Sequence, residues 1–280
     1  VAEKKSCLNN MEAHVHCWVC CEGDEHGTLL PTGCACRGSA GFAHIDCLVT
    51  AATHNVDSWT HCPTCTQEYT GEADVRLSRA RWELVRDRPT DDPERLFVAN
   101  NLAVTLKESA GDDEGALQLM KEVLEVRRRI YGSQHEETLD SMANLALQHL
   151  EMGNFDAALP LNEEALAGMR WTFGDEHEHT LVAMAALGAL HNSMGNYCLA
   201  QPLNEKALEL RRLILGDDHL DTMNSRYHLG RCLCGLGEYP AGLAMLEEAV
   251  KISRRVLGEA HPDAQKFAEG LLECATRFEN

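Results

Sequence analysis

Eight side chains near the start of the 280-residue chain carry most of its chemistry: Cys17, Cys20, Cys34, Cys36, His44, Cys47, Cys62 and Cys65. They fall into four tight pairs, spaced C-x2-C, C-x-C, H-x2-C and C-x2-C. Each pair can place two soft donors within about 4 Å of each other, which suits a tetrahedral Zn2+. Eight donors complete two structural Zn2+ ions with no coordination position left for an activated water. Cys21 and His61 stand next to pair members and are alternative ligands. No nucleophile–base pair, phosphate loop or open metal site is present elsewhere, so the catalytic set is empty.

The ligand order and the seven residues between Cys36 and His44 resemble a RING-CH zinc finger, over about residues 14–70. A PHD finger shares the ligand order but spaces the second pair more widely and carries Trp two residues before the last pair. Here the second pair is C-x-C, and Trp59 lies three residues before Cys62. The RING-CH resemblance implies a small zinc-stapled cross-brace domain. Cys17, Cys20, His44 and Cys47 would hold zinc 1; Cys34, Cys36, Cys62 and Cys65 would hold zinc 2. It also implies docking of a ubiquitin-conjugating enzyme on Val19 and Pro63. Ala51 and the Thr66–Gln67 pair stand where related fingers often carry Trp and Arg, which weakens the expectation of ligase activity.

Five further cysteines besides Cys21, namely Cys7, Cys198, Cys232, Cys234 and Cys274, show no disulfide framework. Cys232 and Cys234 read as small buried residues. That usage fits a reducing compartment, cytoplasmic or nuclear. The formal net charge is −19, and both parts are acidic: 3 basic and 8 acidic residues in 1–70, 22 and 36 in 71–280. Such a surface repels phosphate backbones, so nucleic acid is not an expected partner. No apolar run is long enough for a membrane span. The first residue is Val, consistent with a fragment.

These ligands must be held by a fold, and the rest of the chain supplies a different one. Gly132, Gly174, Gly216 and Gly258 are 42 residues apart, as are His135, His177, His219 and His261. Thr138, Thr180 and Thr222 keep the same period, followed by Gly153, Gly195 and Gly237 and then Phe155, Tyr197 and Tyr239. A fixed period of this length specifies a solenoid. Each unit reads as two helices, typified by Thr138–Met152 and Asp156–Phe173, with glycine closing the first. Pro160 and Pro202 are read as early in the second helix, where a missing N–H costs least. The histidines, one per unit, are read as structuring the loops rather than as metal ligands.

The Leu229–Gly230 step, Gly237-x-Tyr239, Ala249 and the run Leu257-Gly258-Glu259-Ala260-His261-Pro262 resemble kinesin-light-chain tetratricopeptide repeats. HEAT and armadillo repeats have similar periods but lack the glycine–aromatic turn. The fold class is therefore a RING-like domain plus an all-α tetratricopeptide-repeat solenoid. The domain plan is an extension at 1–13, the finger at 14–70, a helical linker at 71–91 and the solenoid at 92–280. Its units run about 92–137, 138–179, 180–221 and 222–263, with a capping helix at 264–278. The first unit has one extra residue before Gly111 and lacks the aromatic after it. The linker helix, 72–88, should pack Trp82 and Val85 on the solenoid, with a hinge at Pro89–Pro93.

Peptides usually dock on the first-helix face of such solenoids. The repeat register puts Asp140, Asn192, Asn224, Tyr227 and Arg231 there, facing a basic or apolar peptide. Together the two resemblances imply a soluble E3 ubiquitin ligase. The finger would recruit a ubiquitin-conjugating enzyme, and the repeats would bind the substrate. The alternative is a non-enzymatic adaptor with a structural zinc finger.

Overall fold

The computed structural model describes residues 16–32, 41–63 and 65–279. The chain packs as two compact units that divide between Val126 and Arg127.

The first unit begins with a small two-stranded antiparallel sheet. Strand β1 (Leu29–Pro31) pairs with β2 (Phe42–His44) in the register Leu29 to His44, Leu30 to Ala43 and Pro31 to Phe42. Helix α1 (Ile45–His54) follows β2 directly, with His44 as the turning residue between them. Helix α2 (Glu72–Val85) has two roles. Its Leu77 joins Ala43, Leu48, Ala52, Trp59 and Tyr69 in the finger's apolar core. Its far end packs Trp82 against Leu96 and Ala99 of α3 (Pro93–Thr105) and Val123 of α4 (Asp113–Tyr131). Ser78 also bonds Thr105 at 3.1 Å, and Ser109 donates to Asp74 at 3.0 Å. The helix thus packs Trp82 on the solenoid's first helices, as expected, and also carries Leu77 into the core beside the paired cysteines.

The extra residue of the first repeat has a local solution. Residues Leu106–Ala110 wind as a π-helical turn, which absorbs one added residue without ending the helix. Gly111 then closes it at φ 63°.

The second unit holds the regular repeats. First helices are α5 (Glu136–Glu151), α7 (Glu178–Ser193) and α9 (Leu220–Gly235); second helices are α6 (Phe155–Phe173), α8 (Tyr197–Leu215) and α10 (Tyr239–Leu257). Helix α11 (Pro262–Glu279) closes the stack. Each helix packs on its sequence neighbour, and α5 also meets α7, α7 meets α9 and α9 meets α11. No comparable contact joins α6 to α8 or α8 to α10 among the described residues. First helices therefore crowd together, and their row forms the inner surface.

The periodic residues explain this repetition. His135, His177, His219 and His261 each accept, through Nδ1, the backbone N–H two residues on, at 3.2–3.3 Å. They are helix N-caps, which satisfies a donor the helix leaves unpaired. The aromatic residue four before two of them stacks on the ring: Tyr131 on His135, Phe173 on His177. At the other end of α5, Gly153 takes φ 73° and Asn154 N–H bonds the His149 carbonyl at 2.8 Å, a Schellman closure repeated after α7 and α9. Ala158, Ala165, Ala200, Ala207 and Ala249 are fully buried where second helices approach their neighbours.

Pro160 and Pro202 depart from expectation. Each is the sixth residue of its helix, beyond the turn whose N–H groups lack partners anyway. The carbonyls of Asp156 and Cys198 thus lose their helical donors. All four residues are exposed, so water can replace the missing bonds.

Candidate metal centre and peptide groove

The finger's first and third pairs converge. The ligand atoms of Cys17, Cys20, His44 and Cys47 all lie within 4.8 Å of one another. Local structure explains how. Cys17 and Cys20 sit in a tight turn in which Cys17 N–H bonds Glu22 O at 2.9 Å and Cys21 N–H bonds Cys17 O at 2.8 Å. His44 ends β2 and Cys47 lies in the first turn of α1, so the strand–helix corner aims both inward. The corner is fastened to the turn by Trp18 N–H on Phe42 O at 3.0 Å and by His44 N–H on Cys17 Sγ at 3.4 Å.

The imidazole is oriented by its far nitrogen. Nε2 lies 2.9 Å from the Gly23 carbonyl, which can only accept, so that nitrogen carries the proton. Nδ1 is left with its lone pair toward Cys20 Sγ at 3.4 Å and Cys47 Sγ at 3.8 Å. Such an outer hydrogen bond is how a metal-binding histidine is normally held. Burial, then the neighbouring Cys20 and Cys17 sulfurs, pushes the Cys47 thiol up to about 12. The Cys17 thiol shifts the other way, below its usual range: burial opposes this, but hydrogen bonds from the Cys20, His44 and Val19 backbone outweigh it. Three sulfurs and one imidazole nitrogen at this spacing can hold one tetrahedral metal ion.

Cys62 and Cys65 repeat the first turn. Cys62 N–H bonds Gln67 O at 2.8 Å and Thr66 N–H bonds Cys62 O at 2.9 Å, matching the Cys17 turn bond for bond. The residue after each pair has positive φ, Cys21 at 66° and Thr66 at 57°. Cys34 and Cys36, the expected partners, lie outside the described residues. Of the alternative ligands, Cys21 occupies the left-handed corner and is not in the converging set, which contains Cys20. His61 turns instead to Thr60 Oγ1 at 2.7 Å and Glu68 at 3.6 Å. Val19 (38% exposed) and Pro63 both stand open to solvent, each between the two sulfurs of its turn.

One contact in this unit was not read from sequence. The Arg81 guanidinium lies between two rings, 5.8 Å from the centre of Trp59 and 5.4 Å from that of Phe97. Arg81 is one of five arginines in 72–88, and nothing local to that segment signals the distant aromatics.

The five expected groove residues are placed unequally. Asp140 is half-buried on α5 and faces His179 Nδ1 at 3.1 Å. Burial raises its carboxyl above the usual range, and His179 opposes that shift. Asn192 is 6% exposed and spends its amide on the His228 carbonyl at 2.8 Å. Asn224 is partly exposed on α9. Tyr227 does not line an open groove: it is 4% exposed, stacked on Phe267 of α11 at 5.0 Å. Arg231 and Lys266 each lie 5.7 Å from its ring centre. The capping helix covers the ring that a peptide was expected to meet. Further back along the row, Leu147 and Val182 remain exposed, 39% and 45%.

Cysteines of the repeats also differ from the reading as unpaired residues. Cys234 of α9 and Cys274 of α11 form a disulfide across 6.2 Å between Cα atoms. Cys232, two residues away, points elsewhere, its thiol donating to the Tyr197 carbonyl at 3.3 Å.

Residues 94–171, 148–212 and 179–255 match the tetratricopeptide repeat, together more than half of the chain. The chain belongs to the tetratricopeptide-repeat family. Among solved structures, it is similar to a Podosopora anserina protein described as a kinesin light chain with nearly identical TPR-like repeats. That likeness has 20% identity and a TM-score of 0.56, covering 74% of this chain and 92% of that one. It is also similar to BtubC (BKLC) from P. vanneervenii, at 19% identity and a TM-score of 0.55, covering 78% of this chain and 81% of that one. At such identity these likenesses speak for the fold. None of the curated proteins matches the chain. Tetratricopeptide repeats are protein-interaction modules, and no helix among the described residues is long and apolar enough to cross a membrane.

Proposed function

We propose that the chain is a zinc-binding RING-CH-type E3 ubiquitin ligase whose finger recruits a ubiquitin-conjugating enzyme and whose repeats hold the substrate. The observation that carries this reading is the interleaving of the ligand pairs. The first pair, Cys17 and Cys20, joins the third, His44 and Cys47, across the intervening Cys34–Cys36 pair. The last pair stands in a turn of the same geometry, ready to complete a second site. That is the order of a cross-brace. Zinc at Cys17, Cys20, His44 and Cys47 would reinforce the small apolar core of so short a domain. The second ion would be held by Cys34, Cys36, Cys62 and Cys65.

Neither ion has a position for substrate, so the finger contributes no bond-making group. Its part is orientation: Val19 and Pro63 offer an apolar rim to a conjugating enzyme while the repeats bring the acceptor protein close. Holding both partners together converts an encounter into an intramolecular step. The adaptor reading rests on Ala51, a small side chain on α1 that offers a docking groove no large wall.

An autoubiquitination assay of the zinc-loaded chain against a panel of conjugating enzymes tests the proposal. Ubiquitin conjugates that vanish with Cys20→Ser support the ligase. Conjugates with no enzyme of the panel, from protein shown to carry zinc, would leave the adaptor.

A further inference from the structure

The disulfide between Cys234 and Cys274 is a latch on the end of the solenoid. It joins α9 to α11, the helix that lies over Tyr227. Two glycines make room for this arrangement, one beside the bond and one beside the ring. A Cβ at Gly242 of α10 would stand 2.6 Å from Cys234 Sγ, and one at Gly270 of α11 would stand 2.5 Å from the Tyr227 ring. The positions one and two periods before Gly242 are Ala200 and Ala158. Alanine thus gives way to glycine in the one unit whose first helix carries the bonded sulfur.

The bond also has a particular setting. Both cysteines are buried, 8% and 5% exposed, yet both line a small depression of about 20 Å3 that opens to solvent. Its walls include Arg231 and Arg277 against the single carboxylate of Glu273. Cationic neighbours favour a departing thiolate and attract an anionic thiol.

We propose that Cys234–Cys274 is a reversible redox site whose co-reactant is a small anionic thiol of the glutathione class. The thiol's sulfur attacks one cysteine sulfur and the S–S bond breaks. The other sulfur leaves as a thiolate and takes a proton from water. A second thiol then resolves the mixed disulfide. The net change is one protein disulfide and two small thiols becoming two protein thiols and one small disulfide, with no other oxidant or reductant.

The bond closes a loop with a sequence separation of 40, so its loss mainly frees the chain's end. Phe267 and Ala264 stay packed without it, so α11 loosens rather than detaches. Loosening exposes Tyr227 and Arg231 at intervals, and the end of the groove becomes accessible in the reduced form. None of this depends on the reading of the finger.

The test equilibrates the full chain in buffers of varied glutathione to glutathione-disulfide ratio. Differential alkylation and peptide mass spectrometry then read Cys234 and Cys274. Both should pass from bonded to free within that range. Hydrogen exchange in α11 should then rise on the order of 100-fold while α5 is unchanged. Cys274→Ala should show the fast exchange at every ratio. Arg231→Ala with Arg277→Ala should slow reduction by glutathione roughly three- to tenfold at low salt but not reduction by neutral 2-mercaptoethanol. A pair that stays bonded, or stays free, at every ratio overturns the proposal, as does equal α11 exchange in both forms. Arginine variants that slow both thiols alike, or neither, overturn the assigned co-reactant.

Discussion

His44 turns Nδ1 toward the sulfur of Cys20, 3.4 Å away, because its Nε2 is held at 2.9 Å by the carbonyl of Gly23. That hydrogen bond chooses the tautomer, and the tautomer leaves the Nδ1 lone pair available to a metal ion. The first prediction follows from it. Elemental analysis should find two zinc ions per chain, and Cys20→Ser should lose one. Chelation should abolish the finger's fold, which zinc stabilises by on the order of 10 kcal/mol. Far-ultraviolet dichroism should retain most of its helical signal, since α5–α11 contain no metal cluster among the described residues. One zinc in the wild-type chain would contradict the second site.

Val19→Arg should weaken conjugating-enzyme binding roughly tenfold or more without releasing zinc. The side chain is exposed and points away from the ligands' task, while a charge in a small apolar contact must be desolvated. Titration of the finger's amide resonances would measure it. Unchanged binding would move the docking surface elsewhere.

His228 gives the repeats a pH dependence. Burial first, then the charges of Lys266, Arg231 and Arg211, depress its folded-state value to about 3. The unfolded chain binds a proton near the ordinary value of about 6.5 that the folded chain refuses. Stability is therefore full above that value and falls as pH drops toward 3. Denaturant unfolding should show a loss on the order of 1 kcal/mol between pH 7 and pH 5, and His228→Asn should flatten it. A wild-type curve already flat over that range would contradict the assignment.

Phe267→Ala should cost about 3–5 kcal/mol, because the ring is fully buried against Tyr227 and closes the apolar core at the end of the stack. Thermal unfolding of the oxidised chain would register it. A shift of less than a degree would mean that α11 does not seal the core.

Peptide binding should map to residues 92–280 and weaken with salt, as an acidic surface attracting a basic ligand requires. Asp140→Asn and Arg231→Ala should each change the affinity measured by calorimetry, whereas Arg76→Ala should not. Partners that need only residues 1–70 would contradict this placement.

Much of this molecule is written in local patterns. A period of 42 with His, Gly and Ala in phase fixes caps, breaks and close approaches, all of which depend on neighbours a few residues away. The paired cysteines are legible for the same reason, since the two members of each pair lie within one turn. The extra residue before Gly111 was visible too, though not that it would be taken up as a π-turn. The rest depends on contacts between distant segments. Trp82 packs on α3 and α4, as its helix was expected to pack on the solenoid, but nothing around 72–88 shows that Leu77 enters the core beside the paired cysteines or that Arg81 sits near both Trp59 and Phe97. The burial of Tyr227 and the bond from Cys234 to Cys274 were hidden similarly, because both depend on where α11 comes to rest.

The sequence by itself determined the repeat, the helices and the spacing of the candidate ligands, since short-range spacing and backbone chemistry suffice for those. The RING-CH resemblance already grouped Cys17 and Cys20 with His44 and Cys47; only the tertiary structure decided how that turn is fastened to the strand–helix corner, by Trp18 N–H on Phe42 O, and which inner-face residues stay open. Those outcomes depend on packing between elements far apart in the chain, where side-chain shape and room, such as the missing Cβ of Gly242 and Gly270, select one arrangement.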